Sequence, residues 1–289
     1  MIPFDFDPRL HAIRSDLADQ RLATKVKAAR YAEGVPFQCR AASVPMFGRP
    51  DAAAPMTSEL LFGETFDVFE AVEGWLWGQC RHDRYVGYAP AAGLAADIQR
   101  PTHRVRALSA LVYPGSTLKS APLDSLSMGA LVTVAAWEGR WAHLTTGGFI
   151  DRGALNGVDA PPTGIDPVSE AERWVEVPYL WGGRSARGLD CSGLVQRCLA
   201  EIGISALRDS DMQEASVGDL VPEHQWSTNL RRGDIVFFPG HVGFMVNELD
   251  LIHANATAMA VSIDPLRRVV DQVRADGGVG ITSVRRLQA

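Results

Sequence analysis

Two stretches of this chain repeat each other at a fixed offset, and that repeat limits the possible folds more than any other feature. "LLFGETFDVFEAVEGWLWGQC" begins at Leu60 and "LSMGALVTVAAWEGRWAHLTT" at Leu126. At an offset of 66 residues Gly63 meets Gly129, Val68 meets Val134 and Trp75 meets Trp141. Upstream, "SVPMFGRPDAAA" parallels "SALVYPGSTLKS"; downstream, "YVGYAPAAGL" loosely parallels "GFIDRGAL". Two long copies mean one small fold used twice, because a solenoid needs at least three shorter units. The alternation Phe66, Val68 and then Trp75, Trp77 suits half-buried antiparallel strands. The expectation is two small β-barrels in tandem.

The flanks read differently. Residues 8–32 carry Leu10, Ile13, Leu17, Leu22 and Val26 at roughly helical spacing, which predicts one or two N-terminal helices. "NGVDAPPTGIDP" (156–167) is Gly-, Pro- and Asp-rich with little to bury, and reads as a linker. With 289 residues the chain is long enough for two or three cores. Its net charge of −6 argues against nucleic acid or an anionic membrane as partner, and it has no 18-residue apolar run to span a bilayer. The opening "MIPFDFDPRL" lacks a basic start followed by an apolar stretch, so no secretory signal is expected and the expected location is cytoplasmic. Cys39, Cys80, Cys191 and Cys198 show no disulfide-scaffold spacing.

Chemistry concentrates after the linker. In "LDCSGLVQRCLAEIGI", Leu194, Val195, Cys198, Leu199 and Ile202 form one stripe of an amphipathic helix that ends at Gly203. Cys191 falls in the first turn, off the stripe, where free backbone N–H groups and the helix dipole favour a thiolate. Cys39, Cys80 and Cys198 read instead as small buried apolar residues. A thiolate nucleophile needs a base. In "RRGDIVFFPGHVGFMV" the turn at Pro239-Gly240 puts His241 at the head of a strand, and "LDLIHANA" carries His253 on a neighbouring one. His241 then accepts the thiol proton and His253 orients it. A zinc site of Cys191, His241 and His253 is the rival reading; the short-spaced ligand pair that such sites use is missing, and no metal or other cofactor is expected. Asp190 and Ser192 also suit helix caps, Gly182-Gly183 a sharp turn, and Asp209-Ser210 a polar turn with a cap.

Both halves resemble known families. Residues 38–98, and less closely 103–156, resemble bacterial SH3-like domains, whose close "Y-x-G-Y" is met by "YVGY" in the first copy and replaced by "GGFID" in the second. "VPYLWGGRSARGLDCSGLVQ", "RDSDMQ", "RRGDIVFFPGHVGFMV" and "LIHANA" resemble the NlpC/p60 family of papain-like cell-wall peptidases over nearly all of 168–289. The implied fold is multi-domain: two small all-β SH3-like barrels and an α+β papain-like NlpC/p60 catalytic domain. The expected divisions are a helical segment over 1–36, SH3-like domains over 37–98 and 99–156, a linker over 157–167 and the peptidase over 168–289.

The resemblance carries roles with it. Cys191 is the nucleophile, His241 the base, His253 the orienting residue, and the Tyr179 hydroxyl lies near the oxyanion. Asp190 borders the substrate site and Ser192 holds a D-glutamate carboxylate. SH3-like domains before such a domain are similar to peptidases of murein tri- or tetrapeptides, which cut between γ-D-Glu and a diamino acid and require a free N-terminal L-Ala. A buried ammonium needs a carboxylate partner. Asp209 matches the position that meets the amine and Ser210 the position beside it, with Tyr85 and, in shifted register, Glu59 supplied by the first SH3-like domain. The resemblance implies a cysteine peptidase releasing L-Ala-D-Glu in wall-peptide recycling, with a monomer favoured. An amidase or acyltransferase using the same cysteine and histidine, or a non-catalytic wall-peptide binder, are the alternatives. Meso-diaminopimelate and lysine stay equally open as the diamino acid.

Overall fold

The computed structural model describes residues 6–162 and 166–288, mostly β-structure with a few helices, in two compact units, Met1–Ala160 and Pro161–Ala289.

In the first unit the sequence repeat is a repeat of strand pairings. Val35–Cys39 pairs with Thr65–Val72 and with Leu94–Ala95; its counterpart His103–Val105 pairs with Leu131–Val132 and with Leu155–Gly157. Ser43–Phe47 pairs with Met56–Leu61 as Ser109–Val112 pairs with Asp124–Ser127. Thr65–Val72, Trp75–Cys80 and Val86–Pro90 form a meander, repeated by Val134–Glu138, Trp141–Leu144 and Phe149–Asp151. Even the irregularities recur: the register shifts between Val68 and Glu70 and again between Val134 and Ala136. Each copy closes on its own core. Val44, Met46, Leu60, Phe66 and Leu76 are buried in the first, and Ala110, Val112, Leu126, Val132 and Ala142 occupy the equivalent places in the second. Gly63 and Gly129 both have φ near the left-handed region, at 80° and 88°. At Gly63 a Cβ would also lie 2.0 Å from the carbonyl oxygen of Leu131, so this position admits no side chain. The copies differ most between their last two meander strands. Nine residues separate Gly78 from Tyr88 and four separate Leu144 from Phe149, so the segment holding Tyr85 has no counterpart.

The expected N-terminal helices are absent among the described residues. Leu17–Asp19 is instead a short strand, parallel to Arg30–Ala32, followed by one 3-10 turn at Gln20–Leu22. Neighbouring Leu17 and Ala18 are both fully buried, but in different clusters: Leu17 with Ala12, Phe69 and Trp77, Ala18 with Ile13 and Val26. Successive side chains enter different clusters, as the strand period of two requires and the helical 3.6 does not. The Asp19 side chain accepts the Arg21 N–H at 2.9 Å, which stabilises a turn in place of a continuing helix. Of the expected linker, residues 163–165 lie outside those described.

The second unit lays helices on a six-stranded antiparallel sheet. Its strands run in the order Asp219–Leu220, Ser283–Arg286, Ile235–Phe238, His241–Met245, Asp250–Asn255 and Ala260–Pro265. Helix α1 (Pro167–Glu172) has Asp166 as N-cap and proline in its first turn, the arrangement that suits a helix start. Helix α2 (Cys191–Glu201) packs on α1 and on the strands His241–Met245 and Asp250–Asn255. Helices α3 (Ser210–Ser216) and α4 (Leu266–Ala275) complete the unit. The apolar stripe of α2 is in the core as expected, but its other face is covered too: Gln196 and Arg197 are also buried. Arg184 Nε donates to Gln196 Oε1 at 2.6 Å, and Gln196 Nε2 donates to the Ala206 carbonyl at 3.1 Å, so the Gln196 amide is satisfied without water. Gly203, with φ at 83°, follows the C-cap Ile202 and ends the helix.

Candidate active site

The start of α2 is fixed from behind. Asp190 caps it, accepting the Gly193 N–H at 2.7 Å, and its second oxygen accepts the Gly182 N–H at 2.8 Å, tying in the "YLWGG" turn. Gly193 is demanded by contact, since a Cβ there would sit 2.3 Å from the Gly183 carbonyl oxygen. Arg208, only 1% exposed, forks onto Asp190 at 2.9 and 2.7 Å and reaches Ser192 Oγ at 2.9 Å. Gln213 Nε2 donates to the Ser192 carbonyl at 2.9 Å. The side chains of Asp190 and Ser192 are therefore held from inside the protein, Asp190 as the cap of α2. Arg208 and Gln213 hold this corner together, a role their motif "RDSDMQ" left unstated because the pairing spans 18 residues.

Cys191 heads α2 and is 7% exposed. Its thiol meets the backbone N–H groups of Val242 and Ser192. Burial, reinforced by Asp190, outweighs those N–H groups and Arg208 and pushes the thiol up to about 12. Burial thus works against the helix-stabilised thiolate that the sequence predicts, because the sequence locates the helix end but not the layer that covers it.

His241 opens its strand opposite Phe238, across the Pro239-Gly240 turn, where Gly240 has φ at 69°. Its Nε2 lies 2.7 Å from His253 Nδ1. His253 Nε2 lies 3.3 Å from Asp264 Oδ2, which also accepts Ser262 Oγ at 2.6 Å, while Arg268 reaches Asp264 Oδ1 at 3.2 Å. The motif "HVG" has a steric cause here: a Cβ on Gly243 would lie 3.0 Å from His253 Cβ and 2.8 Å from the Ile252 carbonyl oxygen. Burial works to raise the Asp264 carboxyl but is outweighed by its hydrogen bonds to Ser262 and His253 and by the charges of His253 and Arg268, so it stays below its ordinary value and ionised. An ionised carboxylate only accepts, so His253 carries its proton on Nε2, His253 Nδ1 accepts from His241 Nε2–H, and the His241 lone pair is on Nδ1. Burial pushes His241 down to about 3, helped by His253 and opposed by Asp190; burial also lowers His253 against Asp264. Burial thus favours the neutral form of the Cys191 thiol and of the His241 imidazole alike. Asp264 was not foreseen; its only sequence signal is the alternation that puts Ser262 and Asp264 on one strand face.

Tyr179 bridges to Leu189 and donates its backbone N–H to the Met259 carbonyl at 2.9 Å. Its hydroxyl, pushed up to about 12 by burial and then by Cys191 and Asp190, stays a proton donor. Asp209 occupies the N-cap position of α3 without its side chain capping it, and Ser210 is the first residue of that helix; both are half-buried. Glu59 and Tyr85 belong to the first unit. Glu59, opposite Pro45 on a strand, is 4% exposed. Tyr85 is buried as well, its N–H donated to Asp83 at 3.0 Å. Cys191, His241 and His253 do not converge as metal ligands, because His253 Nδ1 is occupied by His241; among the described residues the cluster with ligand spacing is Cys80, His82 and Asp83 in the first unit.

Residues 176–276 match the NlpC/P60 family, and residues 46–94, within the first β-copy, match the bacterial dipeptidyl-peptidase SH3 domain. The chain is 25% identical over 265 residues to dipeptidyl-peptidase 6 of Lysinibacillus sphaericus, covering 84% of this chain and 96% of that one. It is 29% identical over 113 residues to the γ-D-glutamyl-L-lysine dipeptidyl-peptidase of Bacillus cereus (strain ATCC 10987), 36% of this chain and 32% of that protein. The crystal structure of an NlpC/P60 family protein from Bacillus cereus ATCC 10987 shares the fold, with a TM-score of 0.71 at 19% identity over 88% of this chain and 100% of the other.

Proposed function

We propose that this NlpC/P60 cysteine peptidase, which carries a bacterial dipeptidyl-peptidase SH3 domain, hydrolyses the bond between γ-D-Glu and a diamino acid in murein peptides with a free N-terminal L-Ala, releasing L-Ala-D-Glu for wall-peptide recycling. The observation that carries the reading is Cys191 at the start of α2, its thiol met by the N–H of Val242, next in sequence to the His241 that is bonded to His253. Relatives named for dipeptidyl-peptidase activity, one of them on γ-D-glutamyl-L-lysine, support the substrate class. The matching strand pairings of residues 103–157 support reading the second β-copy as another SH3-like domain.

In this reading His241 Nδ1 takes the Cys191 proton as Sγ attacks the γ-carbonyl carbon, since burial favours the neutral form of both groups. The oxyanion receives the Tyr179 hydroxyl and the backbone N–H of Cys191. His241 returns the proton to the diamino-acid nitrogen as the C–N bond breaks, leaving a thioester and a free amine. Water, deprotonated by His241, then attacks the thioester, and the thiol is regenerated. Asp209 accepts the N-terminal ammonium, with Ser210 beside it.

Mass spectrometry of the protein with L-Ala-γ-D-Glu-meso-diaminopimelate, its N-acetylated form and an intact muropeptide tests this. Release of L-Ala-D-Glu from the free tripeptide alone is expected; cleavage of all three would remove the amine requirement, and cleavage of none would reject the peptidase reading in favour of acyl transfer. Asp209→Asn should weaken binding of the free-amine peptide much more than that of its N-acetylated form.

A further inference from the structure

A cavity of about 370 Å³ opens beside the histidine pair. Tyr179, His241 and His253 line it, and Cys191 does not. In acyl transfer the cysteine side holds the acyl group, whereas the group that returns the proton touches the leaving nitrogen. A pocket that borders the histidines without reaching the sulfur is therefore on the leaving-group side.

The far wall of the cavity is one face of α4. Arg268, Gln272 and the following Asp276 succeed one another at intervals of four, with Val269 and Val273 between them. Val269 is buried and Val273 half-buried, an apolar strip that suits methylene groups. Arg268 is 70% exposed and bonded through NH1 to one oxygen of Asp264, so its fork is not closed on a carboxylate. Asp276, exposed, takes only the Gln272 amide, at 3.2 and 3.1 Å. A cation and an anion thus stand about 12 Å apart along the helix, two turns with an apolar strip between.

We propose that this cavity is the leaving-group pocket and that it selects a diamino acid whose side chain ends in a carboxylate as well as an ammonium, over one ending in an ammonium alone, with Arg268 making the selection. This rests on the proposed peptidase reading. The aliphatic chain lies on Val269 and the terminal carboxylate pairs with Arg268; the ammonium shares the carbon that bears that carboxylate, so Asp276, two turns away, takes no part. A side chain ending in an ammonium alone offers Arg268 no carboxylate and meets it as a like charge.

The test is the ratio of kcat/KM for L-Ala-γ-D-Glu-meso-diaminopimelate to that for L-Ala-γ-D-Glu-L-lysine. Arg268 also touches Asp264, so any general effect of changing it on the histidines falls on both substrates and cancels in the ratio. The expected ratio is about ten in the wild type, the value of one exposed charge-assisted contact, and about one in Arg268→Gln. Gln272→Glu, which adds an anion to the same face without touching Asp264, should also lower the ratio. A wild-type ratio at or below one, or a ratio that Arg268→Gln leaves unchanged, would overturn the pocket while leaving the peptidase standing. Cleavage of neither peptide by the wild type would overturn both.

Discussion

His253 Nδ1 stands 2.7 Å from His241 Nε2, and the other nitrogen of His253 faces the Asp264 carboxylate at 3.3 Å. That relationship decides which nitrogen of His241 holds a lone pair. The acid end of the chain fixes the tautomer of His253, His253 fixes that of His241, and Nδ1 of His241 is left as the base. The three residues come from three consecutive strands, so the sheet register sets the proton's path.

Asp264→Asn should therefore change the pH profile as well as the rate. Burial lowers His253, and Asp264 works against burial. Removing the carboxylate charge leaves the histidines harder to protonate, so the acid limb of kcat/KM should move to lower pH. The rate at the plateau should fall about tenfold, less than the roughly hundredfold that a directly acting acid–base group contributes. A purely structural Asp264 would lower the rate with the limb unmoved, and a limb moving to higher pH would reject the assignment.

The resting thiol gives a second pH test. With Cys191 pushed up to about 12 by burial, the thiolate fraction grows tenfold per pH unit across the neutral range. Alkylation of Cys191 by iodoacetamide, followed on its own peptide by mass spectrometry, should be slow at pH 6 and climb without a plateau to pH 9. A plateau below pH 7 would mean a preformed thiolate–imidazolium pair. In parallel, Cys191→Ala should abolish turnover and keep the melting temperature within a few degrees.

What the sequence made legible was local. The offset repeat follows from turn glycines and alternating strand residues, and it survives as identical pairings and an identical bulge at Val68 and Val134. Cys191 at a helix start and His241 after a Pro-Gly turn are likewise short-range features. The misses all depend on partners far along the chain. Leu17 and Ala18 look helical until Phe69 and Trp77 claim one and Val26 the other. Arg208 closes on Asp190 across a helix and a loop, and the cover over Cys191 comes from the strand that begins at His241. Spacing patterns carry no information about such closures.

Asp190→Ala should be among the costliest substitutions for folding. Arg208 is almost wholly buried, and Asp190 supplies both oxygens of its fork. The variant strands a buried cation and removes the cap of α2, for a loss of about 3–5 kcal/mol. Urea unfolding measures it. The double change Asp190→Asn with Arg208→Met should cost less than the sum of its parts, since no charge is left unpaired. A loss below about 1 kcal/mol for Asp190→Ala would mean that water reaches Arg208.

Gly243→Ala separates position from stability at the catalytic strand. The added Cβ would meet the Ile252 carbonyl oxygen at 2.8 Å and His253 Cβ at 3.0 Å, and backbone on one side and a histidine on the other leave little room to yield. The strand Asp250–Asn255 must shift, and His253 shifts with it relative to His241. Displacements of about 1 Å in a catalytic array cost on the order of a hundredfold, so kcat should fall by about that factor. Overpacking of this kind costs about 1–3 kcal/mol, which keeps the protein folded at assay temperature. Measured together, a large kcat loss in a still-folded variant supports register as the reason for glycine in "HVG", whereas an unchanged kcat would show that the histidine pair tolerates the shift and that proximity to Gly243 does not control it.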